Sequence, residues 1–210
     1  MSDTSAIWTS TCESLGADSS RARRCLDDLT ARYSEAHRHY HTMEHISGVL
    51  SSLARFEQEP SPAQIFAAFY HDAVYATRRH DNETKSAALA RRSLETMGLK
   101  PELIETVEVL ILSTINHQPL WGSRETLLFL DCDLITLGSP KDSYDRYSRS
   151  IRQEYDWVPE DKYREGRLKV LRSFTERREI FFVEEIRKQF ESQARANLEA
   201  EIGVLEAAGR

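Results

Sequence analysis

Cysteine is scarce in this chain, an excess of positive charge is absent, and no apolar run is long. The three cysteines among 210 residues, Cys12, Cys25 and Cys132, are scattered, odd in number and not in C-x-x-C spacing. They argue against a disulfide framework and against a zinc ribbon. A formal net charge of −6 argues against a general nucleic-acid binder, because affinity for a phosphate backbone needs a basic surface. It leaves room for a small anionic substrate in a locally positive pocket. No stretch approaches the ~20 apolar residues of a membrane span. The start, Met1-Ser2-Asp3-Thr4-Ser5, has neither the basic opening nor the apolar core of a signal peptide. A cytoplasmic location and no membrane partner are the expectation. Internal repeats, low-complexity tracts and obvious linkers are also missing.

What remains is the make-up of an ordinary globular protein, 40% hydrophobic and 30% charged, long enough for one sizeable domain and short for two. Period-two alternation hardly appears. Helical periodicity and caps instead predict helices over about 5–15, 20–33, 41–56, 101–116, 126–137, 143–155, 160–177 and 180–208. Ser61 is placed to cap a helix carrying His71 and Asp72, and Asp81-Asn82-Glu83 to start another that ends at Gly98. The expectation is one all-α domain over 1–210 with about nine helices. Its core would cover about 30–180, with N-terminal helices and a long C-terminal helix packed on it. That last helix carries a stripe of Ile186, Phe190, Ala194, Leu198, Ile202 and Leu205. Core packing is the first reading of the stripe, and a homodimer seam the second.

The chemistry concentrates in three segments. His71-Asp72 lies inside an apolar run, Ile65-Phe66-Ala67-Ala68-Phe69-Tyr70-His71-Asp72-Ala73-Val74-Tyr75. A carboxylate and an imidazole buried together are costly unless a cation lies between them. Upstream, His41 and His45 are spaced to share one face of a helix. Downstream, Asp131 and Asp133 flank Cys132 in another apolar stretch. Mixed imidazole and carboxylate ligands suit a catalytic divalent ion, with Mn, Fe, Co, Ni, Zn and Mg all compatible. Such an ion acidifies a bound water and polarises a phosphoryl oxygen. Hydrolysis of a phosphoester or phosphoanhydride is the reaction that follows.

The order H…HD…D on a helical background resembles the HD superfamily of metal-dependent phosphohydrolases over roughly residues 30–180. It is closer still to a bacterial subgroup of predicted metal-dependent HD phosphohydrolases. The matching blocks are Arg38-His39-Tyr40-His41-Thr42-Met43-Glu44-His45-Ile46, Tyr70-His71-Asp72-Ala73-Val74-Tyr75, Asp81-Asn82-Glu83-Thr84-Lys85-Ser86-Ala87 and Asp131-Cys132-Asp133-Leu134-Ile135-Thr136-Leu137-Gly138. The resemblance implies an HD-type helical bundle in which one histidine, the HD pair and a late aspartate hold the ion. The segment Tyr40-His41-Thr42-Met43-Glu44-His45 also looks like the Y-H-N-x-x-H stretch of cyclic-nucleotide phosphodiesterases. That second resemblance implies His45 as ligand and His41 as general acid, with Asp133 as ligand and Asp131 behind it or structural. His41 and Asp131 stay open as the alternative ligands. The implied set is His45, His71, Asp72 and Asp133.

Other residues fill in the expected pocket. His117 is a second candidate for proton transfer, or a loop histidine at a helix C-terminus. Glu83 would orient a histidine or a water. Arg38, Tyr40 and Arg152 are the candidates for substrate contact, arginine because its planar fork matches phosphate. The expected partner is a small phosphorylated molecule, with a nucleotide favoured because Tyr40, Tyr70, Tyr75 and Trp121 offer faces for a base. A nucleotide-sensing module with little turnover is the non-enzymatic rival. A di-iron HD oxygenase is the other, disfavoured because only His80 and His117 lie between the HD pair and the last aspartate.

Overall fold

A computed structural model describes residues 2–209. The protein is all-α: no strand forms among the described residues. Among the described residues there are ten helices: α1 (Ser2–Ser14), α2 (Ser19–Tyr33), α3 (Met43–Phe56), α4 (Pro62–Tyr70), α5 (Asn82–Thr96), α6 (Pro101–Ser113), α7 (Arg124–Leu134), α8 (Lys141–Glu154), α9 (Glu160–Thr175) and α10 (Glu184–Ala207). Short 3-10 turns follow α6 (Ile115–His117) and α7 (Ile135–Gly138). The count is ten where about nine were expected, and each of the ten corresponds to a segment named from the sequence. In α4, only 9 residues long, Ser61 and Gln64 form a reciprocal capping box and Pro62 opens the first turn.

Three of the shifted boundaries matter for chemistry. Helix α4 stops at Tyr70, so His71 is its C-cap and Asp72 lies in the following turn, not inside the helix. Helix α3 begins at Met43 because the Thr42 side chain caps the Glu44 N–H, which leaves His41 outside the helix that starts with His45 in its first turn. The two histidines therefore do not share a helical face. Helix α6 stops at Ser113, three residues short, and Asn116 and His117 adopt left-handed φ values of 60° and 47°.

The chain divides into two compact units, Met1–Cys132 and Asp133–Arg210, with the division falling inside α7. The core of the first unit is aromatic. Trp8 meets Phe66 and Phe69 edge-on at 5.4 and 5.0 Å and donates its indole N–H to the Ala22 carbonyl at 3.0 Å. Tyr33 reaches from the end of α2 to the Phe69 carbonyl at 2.9 Å, fixing α2 on α4. In the second unit the Ile135–Gly138 turn lies against α10: a Cβ at Gly138 would meet Phe190 Cβ at 2.6 Å. Asn197 donates to the carbonyls of Leu137 and Ser139 at 2.8 and 2.9 Å. Behind it, Arg167 pairs with Glu201 at 2.8 Å, and Tyr144 donates to the same carboxylate at 2.6 Å. No helix of the described residues is long and apolar enough to cross a membrane.

Candidate metal centre

The ligand candidates come from the start of α3, the turn after α4 and the end of α7. The start of α7 is fastened to the start of α4: Ser61 Oγ donates to Glu125, and Gln64 Nε2 donates to the Glu125 carbonyl at 3.1 Å. Glu57, just beyond the C-terminus of α3, lies 3.7 Å from Arg124 at the start of α7.

Ligand atoms of His45, His71 and Asp133 lie within 4.8 Å of one another. His45 Nε2 and His71 Nε2 are 3.1 Å apart. Asp72 Oδ2 stands 3.0 Å from His71 Nε2, 3.7 Å from His45 Nε2 and 3.9 Å from His41 Nε2. His71 is 2% exposed and its Nδ1 lies 3.0 Å from the Ala68 carbonyl, which can only accept. Nδ1 therefore carries the proton, and Nε2 turns a lone pair towards the cluster.

The donor set fits a divalent ion. The two imidazole nitrogens, 3.1 Å apart, and the Asp72 oxygen, 3.0 Å from His71 Nε2, are close enough for one cation to be held between them. Imidazole and carboxylate, without sulfur, suit a borderline or hard cation. The backbone hydrogen bond behind His71 is the support that metal-bound histidines commonly have.

A frame of side chains holds the turn after α4. Ser86 Oγ accepts from the Val74 N–H at 3.0 Å. Asn82 grips Ala76 at both its N–H and its carbonyl, at 3.2 and 3.1 Å. Asn82 was legible only as a helix cap; its amide bonding to a residue six positions back carries no local sequence signal. His37 Nε2 donates to the Tyr75 carbonyl at 2.8 Å, and its ring lies parallel to that of Tyr75. The Tyr75 ring faces His41 at 4.2 Å, and Tyr40 packs against His41 and His45 at 5.0 and 4.9 Å.

The remaining expected site residues fall as follows. Arg38 is 5% exposed, and its guanidinium donates to Glu35 and to three backbone carbonyls. Asp131 is fully buried on α7. Glu83 is half-buried in the first turn of α5. His117 closes the 3-10 turn after α6. Arg152 belongs to the second unit, where it binds the carbonyls of Tyr155 and Val158 and the Glu160 carboxylate.

Comparison of the chain with protein-family models, curated proteins and solved structures found no match.

Proposed function

We propose that the protein is a metal-dependent phosphohydrolase of HD type, acting on a small phosphorylated molecule such as a nucleotide. The observation that carries this reading is the convergence of His45 Nε2, His71 Nε2 and Asp72 Oδ2, with His71 fixed in the tautomer that presents a lone pair. The order of the motif blocks, which resembles the HD superfamily, supports it. One divalent ion would be held by His45, His71, Asp72 and Asp133. Bound there, it would supply Lewis acidity for a phosphoryl oxygen and for water.

The chain's own residues supply the rest. His71 is kept in register by the Ala68 carbonyl, and Asp72 places negative charge between the three imidazoles. His41 lies at the edge of this group, 18% exposed at its side chain and 3.9 Å from Asp72 Oδ2. Partial exposure and a neighbouring carboxylate equip it to hold a proton and deliver it to a leaving oxygen. The Tyr75 ring fixes the plane of that imidazole. Phosphate release from a panel of nucleotides and simple phosphoesters, with Mn²⁺ or Co²⁺ and with chelator, tests the proposal. Metal-dependent turnover that Asp72→Ala abolishes is the expected result. Turnover that survives that substitution sinks it.

A further inference from the structure

Resting on the metal-site reading above, we infer that Arg38 is a positioning residue that sets the spacing between the His41–His45 segment and the His71-Asp72 turn. His41 precedes α3 and Asp72 follows α4, so neither is held by the ladder of a helix. One guanidinium spans both. Its Nη1 donates to the His41 carbonyl at 3.2 Å and to the Asp72 carbonyl at 2.8 Å, and its Nη2 donates to the Ala73 carbonyl at 3.2 Å. Its Nε donates to Glu35 at 3.0 Å. The guanidinium carbon also sits over the rings of Tyr33 and Tyr75, at 4.9 and 5.4 Å.

Placing a cation here is costly in solvation, since none of its side chain is exposed. Carbonyl dipoles, two ring faces and the carboxylate of Glu35 offset that cost. Surrounded in this way, the guanidinium is built into the backbone of the site. The geometry also explains why arginine stands here. A lysine ammonium is a point charge on a flexible stem and cannot present rigid, diverging donors to both segments. Losing the fork frees the His41 carbonyl from the Asp72 carbonyl, and with it the distance between His45 Nε2 and Asp72 Oδ2.

The test is a Co²⁺ titration of the full chain, read by calorimetry and by the visible d–d absorption of the bound ion. Arg38→Gln is expected to weaken Co²⁺ binding about 10–100-fold, the range for groups that support metal ligands, and to alter the d–d band. Arg38→Lys restores the charge without the fork and should fall between Arg38→Gln and the unsubstituted protein. Trp8→Phe, a core change in the same unit, controls for stability and should leave both affinity and spectrum unchanged. If Arg38→Gln fails to fold, the comparison of Arg38→Lys with Trp8→Phe decides the matter. Unchanged affinity and spectrum in the folded Arg38 variants overturn the inference while leaving the metal site standing. No Co²⁺ uptake by the unsubstituted protein overturns both.

Discussion

His45 Nε2 and His71 Nε2 lie 3.1 Å apart, although the proton of His71 is committed to Nδ1 by the Ala68 carbonyl. Two neutral imidazoles that face each other by lone pairs repel. A proton on His45 Nε2 or a shared cation turns that contact into attraction. Asp72 Oδ2, 3.0 Å from His71 Nε2, adds negative charge to the same spot and favours the cation of higher charge.

Removal of either imidazole should therefore be felt first in metal affinity. His45→Ala and His71→Ala are expected to lower Co²⁺ or Mn²⁺ affinity by at least about 100-fold, above the usual cost of losing a supporting group. Calorimetric titration checks this. Binding at the unsubstituted affinity in either variant would remove that residue from the ligand set.

His41 should separate from those two. With a role in proton delivery and not in holding the ion, His41→Asn is expected to keep Co²⁺ affinity and to lose about 10²–10⁴-fold in kcat. Parallel titration and turnover on whichever substrate the panel identifies would show it. A loss of metal binding equal to that of His45→Ala would make His41 a ligand instead.

In the second unit, burial pushes the Glu201 carboxyl upward, but Arg167, by hydrogen bond and charge, and the hydroxyls of Tyr144 and Ser148 outweigh it and hold its pKa below 4.5. A depressed carboxyl contributes stability that is present above its unfolded value and lost as pH falls through the folded one. Acid unfolding below about pH 4.5 should therefore include this pair. Glu201→Gln leaves the buried Arg167 charge without its carboxylate and is expected to cost about 3–5 kcal/mol at pH 7. Urea denaturation from pH 7 to pH 3 reads both the loss at neutral pH and a weaker acid dependence in the variant.

Gly138→Ala tests the close approach of the turn after α7 to α10. The added Cβ would meet the Phe190 Cβ at 2.6 Å and its backbone oxygen at 2.7 Å, and backbone cannot swing aside as a side chain can. A destabilisation of about 1–3 kcal/mol is expected, by denaturant titration, with metal affinity unaffected.

Much of this was legible in the sequence, and the reasons differ by residue. The all-α class followed from helical periodicity and from local caps such as Ser61. Thr42, read as a cap, would have placed His41 outside α3. The pairing of His71 with Asp72 announced itself because charged groups in an apolar run are rare. The surroundings of Arg38 did not. An arginine bonded to carbonyls 34 and 35 residues away looks identical, in sequence, to one waiting for phosphate. The clamp from Asn82 to Ala76 was hidden for the same reason, since only the turn between α4 and α5 brings the two together.

If the site takes an ion as proposed, that clamp separates two equilibria that are joined in many small metalloproteins. The turn carrying Asp72 takes its shape from Ser86 and Asn82 on α5, and each of those bonds is made by the polypeptide alone. Where ligands are organised by the ion itself, as in a zinc finger, stripping the ion melts the domain. An ion bound as proposed would arrive at ground already levelled, and its removal would leave the chain folded.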